Sequence, residues 1–198
     1  MPICRQGAGV LLKDANLFEK TVSSEEIFRG RVLTLYRDEI ELPDGGRSVR
    51  EYCKHIGAVC IIPITSDGRV IMERQYRYAH GRVFFEIPAG KLDSADEDPL
   101  SAALRELREE TGAVAGKVTF LGGLDTTPAL INEKISMYMA EELTFTDNDL
   151  DEDECLEVEL CPLKTLYEMV MSGKIRDAKT QIAVLKAAAL RPEYLSGK

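Results

Sequence analysis

Residues Gly90 to Ala113, GKLDSADEDPLSAALRELREETGA, constrain this chain more than any other stretch. Asp98 offers a side-chain oxygen at an N-cap, Pro99 fills the first helical position, where its missing N–H costs nothing, and Gly112 supplies a left-handed stop. A helix from Pro99 to Thr111 follows. Leu100, Ala103, Leu104 and Leu107 recur at i, i+3, i+4 and i+7, the spacing of a stripe turned to a core. At about 100° per residue, Glu106, Glu109 and Glu110 fall in one arc of about 100° that flanks the stripe. Like charges so placed cost roughly 0.2–0.5 kcal/mol per pair in an isolated helix, so helix stability does not account for their grouping. Hard oxygen ligands at the edge of a core suit Mg²⁺ or Mn²⁺, which keep several waters and take the rest of their shell from substrate phosphates. The same face also reads as a solvated surface, with Arg105–Glu109 as an ordinary i, i+4 ion pair.

The complete pattern separates these readings. Gly90, Glu97, Arg105, Glu106, Leu107, Glu109, Glu110, Gly112 and Ala113 resemble the signature of the Nudix hydrolases: a glycine, a glutamate, then R-E-U-x-E-E-x-G-U with U a bulky aliphatic. Two positions depart from it. Glu97 stands at the family spacing from Arg105, but six residues rather than five separate it from Gly90, so Asp96 and Glu97 both compete for the acidic role beside the arginine. Ala113 is smaller than the usual terminal residue.

Upstream of the box, Ile56 to Ile64 is a continuous apolar run bounded by glycine and proline, which reads as a strand buried on both faces. Ser66-Asp67-Gly68 turns the chain into a second strand over Arg69–Glu73. Further back, loose alternation over Phe18–Phe28 and Arg31–Glu41, then Pro43-Asp44-Gly45-Gly46 before Ser48–Cys53, predicts an antiparallel hairpin unit. Some fifty residues of such sheet bury too little apolar surface to stand alone, so the unit is expected to dock on the remainder or on a second copy. The expected division is residues 1–55 as an N-terminal β subdomain and 56–198 as the main domain. Gly7-Ala8-Gly9 lacks the third glycine and the preceding strand of a dinucleotide site and reads as a lead-in.

Downstream, Lys134 to Ala140 alternates Ile135, Met137 and Met139 against Ser136, Tyr138 and Ala140, a strand with one strongly apolar face. Thr144 to Glu157 is acidic with almost no helix or strand signal and reads, on charge alone, as a solvated loop. Pro162 opens a helix carrying Leu163, Leu166 and Val170 and closed by Gly173; a last helix carries Ala178, Ile182, Leu185 and Ala189 up to Pro192. The tail RPEYLSGK is expected to fray. His55 and His80 lack a ligand-spaced partner and read as structural or surface residues.

A formal charge of −9, from 25 basic and 34 acidic residues, argues against a nucleic-acid or anionic-membrane partner. Five cysteines, Cys4, Cys53, Cys60, Cys155 and Cys161, show no C-x-x-C spacing and form no disulfide framework, which fits a reduced cytosol. An apolar leader and a run long enough to span a membrane are both missing, so a cytoplasmic location is expected.

The resemblance extends beyond the box. Arg74-Gln75-Tyr76-Arg77, followed by Glu86-Ile87-Pro88-Ala89-Gly90, is similar to the Nudix branch that hydrolyses ADP-ribose and related nucleoside diphosphate sugars. A proline expected some fifteen residues after the box is Pro128, but Ala129 stands where that branch has glycine. This resemblance implies an α/β Nudix fold, a mixed β-sheet sandwiched between helices with a small N-terminal antiparallel subdomain. It implies Mg²⁺, with Mn²⁺ a possible substitute, on the Ala89 carbonyl, Glu106, Glu110 and Glu154. Catalysis falls to Glu152, with Glu109, while Arg105 positions the carboxylates; the match allows either Glu152 or Glu154 as base. Arg77, Glu86 and Glu133 are implied to bind substrate. Arg50 and Glu51 are implied to reach the nucleotide pocket of the other subunit in a homodimer formed through the N-terminal subdomain. The implied reaction splits ADP-ribose into AMP and ribose 5-phosphate. Another nucleoside diphosphate sugar, or a non-catalytic nucleotide-sensing module on the same fold, are the alternatives.

Overall fold

Residues 17–146 and 155–196 are described by the computed structural model. Two compact units divide the chain. One comprises the described residues through His55 together with Ala129–Ile131, and the other Ile56–Pro128 with the chain from Asn132 onward.

In the smaller unit, β1 (Lys20–Arg29), β2 (Thr34–Glu41) and β3 (Arg47–Lys54) form an antiparallel sheet in chain order. The β2–β3 turn is the expected one: Asp44 Oδ1 accepts from the Gly46 N–H at 2.9 Å, and the Leu42 N–H donates to the Gly46 carbonyl at 2.8 Å. Ile131 makes a parallel bridge to Cys53, and the Cys53 N–H donates to the Leu130 carbonyl at 2.8 Å. β1 is exposed along its whole length.

The larger unit is built on β4 (Ala58–Pro63), in which all six residues are buried. It pairs antiparallel with β7 (Ala89–Lys91) and parallel with β9 (Lys134–Phe145), and β9 in turn pairs with β8 (Ala113–Asp125), giving the mixed sheet β7-β4-β9-β8. A second sheet has the order β10-β5-β6, from β5 (Arg69–Arg77), β6 (Arg82–Glu86) and β10 (Leu156–Pro162). Side chains of β4 alternate between two cores, as the strand period of two requires. Val59 and Ile61 join Ala102, Ala103 and Leu107 of α1 (Pro99–Thr111), while Cys60 and Ile62 join Leu163 and Leu166 of α2 (Leu163–Met171) and Ala183, Val184 and Ala187 of α3 (Ala178–Leu190).

Several expectations change. β9 is not one-sided: Ile135, Met137 and Met139 fill one core while Tyr138 and Ala140 fill the other, because helices cover both faces of its sheet. Part of the acidic stretch 144–157 is strand, since β9 runs to Phe145 and β10 starts at Leu156. On α3 the buried residues are Lys179, Thr180, Ala183, Val184, Ala187 and Ala188, whereas Leu185 is exposed, so small residues rather than the large aliphatics face the sheet. Nor does the chain fray at Pro192, which opens a short helical turn whose Tyr194 and Leu195 pack against the core.

Candidate active site

α1 begins and ends as its termini dictate. Asp98 caps the Ser101 N–H at 2.9 Å, and Gly112 closes the helix at φ 69°, a conformation that favours glycine. Its buried face is Ala102, Ala103, Glu106, Leu107 and Glu110, with Leu100 exposed. At about 100° per residue that face spans about 140°, and Glu106 and Glu110 lie near its middle. Two of the carboxylates therefore lie within the buried stripe rather than beside it, and Glu109 is the half-exposed one at its edge.

What these carboxylates face is the Glu86–Lys91 segment. The Ala89 N–H donates to Glu110 Oε2 at 3.2 Å. Gly90 lies so close to the helix that a Cβ there would stand 2.0 Å from both Cδ and Oε1 of Glu106. No side chain fits that gap, which is the physical reason for glycine at this position.

Arg105 gathers the acidic residues of loop and helix. Its Nη1 donates to Glu106 Oε1 at 2.9 Å and to Glu109 Oε2 at 3.1 Å, and its Nε approaches Glu97 Oε1 at 3.4 Å. Burial works against the guanidinium charge, but Glu106, Glu109, Glu97 and Asp93 together outweigh it and hold the group more firmly protonated than usual. The contest between Asp96 and Glu97 is thus decided for Glu97, whose second oxygen accepts from the Asp93 N–H at 2.6 Å. The extra loop residue is absorbed before Glu97, leaving its spacing to Arg105 intact.

On the neighbouring sheet, Glu86 is 1% exposed and bound on both sides: Arg77 Nε donates to Oε1 at 2.7 Å, and the buried Lys179 ammonium contacts Oε2. Arg77, His80, Phe84, Asp177 and Lys179 line a pocket of about 300 Å³ at this point. His80 is exposed at its rim, where its ring lies 5.0 Å from that of Phe84.

Opposite Glu86 in the β5–β6 register stands Glu73, 2% exposed and unforeseen from the sequence. Burial first, then the charge of Glu86, push its carboxyl up to about 8, against the hydrogen bond it shares with Glu110 and the attraction of Lys179 and Arg77. Its Oε1 has no hydrogen-bond partner among the described residues. A glutamate closing the apolar run Val70-Ile71-Met72 was the available signal. Lys179 also went unread, although its spacing to Ala183 and Ala187 puts it on the buried face of α3.

The other expected residues lie on separate segments or outside the described residues. Glu133 is half-buried and accepts from Thr126 Oγ1 at 2.8 Å. Arg50 and Glu51 lie on β3 of the smaller unit, with Arg50 Nε donating to Glu19 at 2.9 Å. Glu152 and Glu154 lie outside the described residues. Among the described residues no three His, Cys, Asp or Glu side chains come together closely enough to hold a metal ion by themselves. The donors that are present nonetheless fit a hard cation. Glu106 and Glu110 offer carboxylate oxygen beside the Ala89–Gly90 backbone, Gly90 leaves room there, and Glu73, hydrogen-bonded to Glu110, keeps a further oxygen unpaired among the described residues.

A glycine pressed against a buried glutamate pair, inside a mixed sheet covered by helices on both faces, is the architecture of the Nudix domain. The Nudix family model matches residues 54–182, and a second model, the nucleoside diphosphate sugar hydrolase N-terminal domain, matches residues 19–52. The chain belongs to the Nudix family, whose members hydrolyse diphosphate bonds and depend on divalent metal. An ADP-ribose pyrophosphatase of Bacillus subtilis is 43% identical over 171 residues, 85% of this chain and 92% of that protein. A methanol dehydrogenase activator of Bacillus methanolicus is 42% identical, over 84% of this chain and 90% of its own length. Among solved structures, an ADP compounds hydrolase superposes with a TM-score of 0.78 at 26% identity, covering 88% of this chain and 95% of that one.

Proposed function

We propose that this protein is a Nudix pyrophosphohydrolase that hydrolyses the pyrophosphate bond of ADP-ribose, giving AMP and ribose 5-phosphate. The observation that carries the reading is the packing of Gly90 on Glu106, with Glu110 bonded to the Ala89 N–H. The pairing of both family models in one chain, and the likeness to an ADP-ribose pyrophosphatase over 92% of its length, support the substrate class.

The Ala89 carbonyl, Glu106 and Glu110, with Glu154 from outside the described residues, hold Mg²⁺, for which Mn²⁺ substitutes. Bound there, the metal neutralises charge on the diphosphate oxygens and lowers the pKa of bound water. Glu152, with Glu109, orients the attacking water and takes its proton. Arg105 keeps Glu106 and Glu109 in place through its two bonds from Nη1. Arg77 offers its remaining N–H groups to a phosphate while Glu86 fixes its planar fork, and Glu133 contributes to substrate binding.

Residues 1–55 act as the dimerisation and substrate-pocket subdomain and 56–198 as the hydrolase domain. Exposed Val22, Ile27, Phe28 and Val49 on the small sheet support a homodimer in which Arg50 and Glu51 reach the partner's nucleotide pocket. Among the described residues no helix is long and apolar enough to cross a membrane, and a cytoplasmic location accords with the four cysteines described there being free.

Mg²⁺-dependent release of AMP from ADP-ribose tests the reaction. Wild type is expected to turn over, and Glu110→Gln and Glu152→Gln to lose at least about a hundredfold in rate. Binding of ADP-ribose in Mg²⁺ without turnover would make the chain a sensor instead, and faster cleavage of another nucleoside diphosphate sugar in a substrate panel would reassign the sugar. Light scattering after size exclusion tests the dimer, and a fully active monomer at micromolar concentration would sink the shared pocket.

A further inference from the structure

The first turn of α3, Asp177-Ala178-Lys179-Thr180, carries three polar side chains whose bonds all lead to one place. Asp177 Oδ2 accepts from the Thr180 N–H at 2.9 Å, from the Thr180 hydroxyl at 2.6 Å and from Lys179 Nζ at 3.2 Å. Thr180, fully buried, then accepts at Oγ1 from the Ile87 N–H at 3.1 Å. Lys179, 8% exposed, donates to Glu86. A lysine is almost never buried to this degree unless paired, and here both partners are carboxylates.

These bonds grip consecutive residues, Glu86 by its side chain and Ile87 by its backbone. The segment they grip ends at Ala89 and Gly90, which face Glu110 and Glu106. β6 ends at Glu86 and β7 begins at Ala89, so Ile87 and Pro88 lie between two strands that belong to different sheets. Neither sheet ladder of its own holds the Ile87 N–H; the threonine does.

We propose that Asp177, Lys179 and Thr180 are positioning residues of the active site. Thr180, together with the Ile61 N–H that holds the Pro88 carbonyl at 3.0 Å, sets where the Ala89 carbonyl points; Lys179 sets Glu86 and, through it, the Arg77 fork; and Asp177 holds Thr180 and Lys179 in place. Neither acts on the reacting atoms. This rests on the metal and substrate assignments made above, and it divides the turn into a metal-directed half and a substrate-directed half.

The two halves predict different readouts. Mn²⁺ binding in the absence of substrate, followed by electron paramagnetic resonance, is expected to weaken about tenfold in Thr180→Val, as loss of an outer-shell hydrogen bond does, and to recover in Thr180→Ser, which keeps the hydroxyl. Lys179→Met is expected to leave Mn²⁺ affinity near wild type and to raise KM for ADP-ribose about tenfold with kcat little changed, the signature of lost ground-state binding. Lys179→Arg is expected to restore part of the KM. Thermal unfolding of each variant shows that the comparison is made on folded protein. Wild-type Mn²⁺ affinity in a folded Thr180→Val, or equal loss in Thr180→Val and Thr180→Ser, overturns the threonine half. A fall in kcat at unchanged KM in Lys179→Met overturns the lysine half. A wild-type protein that binds Mn²⁺ but leaves ADP-ribose intact overturns the proposed reaction instead, and the metal comparison between the two threonine variants still decides the role of the turn.

Discussion

Adding one methyl group at Gly90 should cost about a hundredfold in activity while leaving the chain folded. The Cβ of Gly90→Ala would start 2.0 Å from the Glu106 carboxyl, and ordinary contact begins near 3.4 Å, so the two must separate by 1.4 Å. The backbone does not resist alanine there, because Gly90 is not among the glycines at positive φ. What yields is the far end of the Glu106 side chain, which swings away from residue 90 and gives up its 2.9 Å bond to Arg105. Losing one charged hydrogen bond costs about 1.5–3 kcal/mol of stability. Misplacing a metal-binding group by more than 1 Å costs on the order of a hundredfold in rate, about 2.7 kcal/mol on the barrier. The expected result is therefore a folded variant with an unfolding temperature lowered by a few degrees, Mn²⁺ binding weakened about tenfold or more, and kcat/KM for ADP-ribose down by about two orders of magnitude. Gly123→Ala is the control, since nothing stands within 4 Å of its added Cβ and its φ is ordinary. A Gly90→Ala enzyme within about threefold of wild type in both metal affinity and rate would refute the reasoning that the glycine makes room for Glu106.

The remaining predictions concern the neighbouring strands. With the metal chelated, Glu73 keeps its proton up to about pH 8 in the folded chain, whereas the unfolded chain releases it near the reference value of 4.5. Between those values the folded state binds more protons, so unfolding free energy should fall as pH rises, by at most about 1.4 kcal/mol per pH unit from this group. Glu73→Gln should flatten that slope in urea titrations run across the window; an unchanged slope would mean the group ionises normally. Arg77→Lys, which keeps the charge but loses the planar fork bonded to Glu86 at 2.7 Å, should raise KM for ADP-ribose about tenfold with kcat nearly constant. A KM equal to wild type would remove Arg77 from the substrate pocket.

Local chemistry alone specified α1: Asp98, Pro99 and Gly112 bound it at Pro99–Thr111, as the structure has it. The strand at Ile56–Ile64 and the turn at Pro43–Gly46 were equally legible, because a continuous apolar run and a Pro-Asp-Gly-Gly cluster act within a few residues of themselves. So was the family, since the box is a linear spacing of residue types. Which face of α1 is buried was not legible. Leu100 and Leu104 pull the apparent stripe one way, and the sheet accepts the helix with Glu106 and Glu110 inward, where Gly90 makes room and Arg105, the Ala89 N–H and Glu73 engage them. The Glu86–Lys179 contact joins residues 93 positions apart, and Thr180 to Ile87 spans the same distance. No periodicity encodes such pairs. They arise because α3 is laid against the β6–β7 crossing by the small residues Ala183 and Ala187, so a lysine, a residue type that is almost always exposed, is carried inward and ionically satisfied there. Residue order set the elements and the reactive groups, and packing decided which charges are buried together.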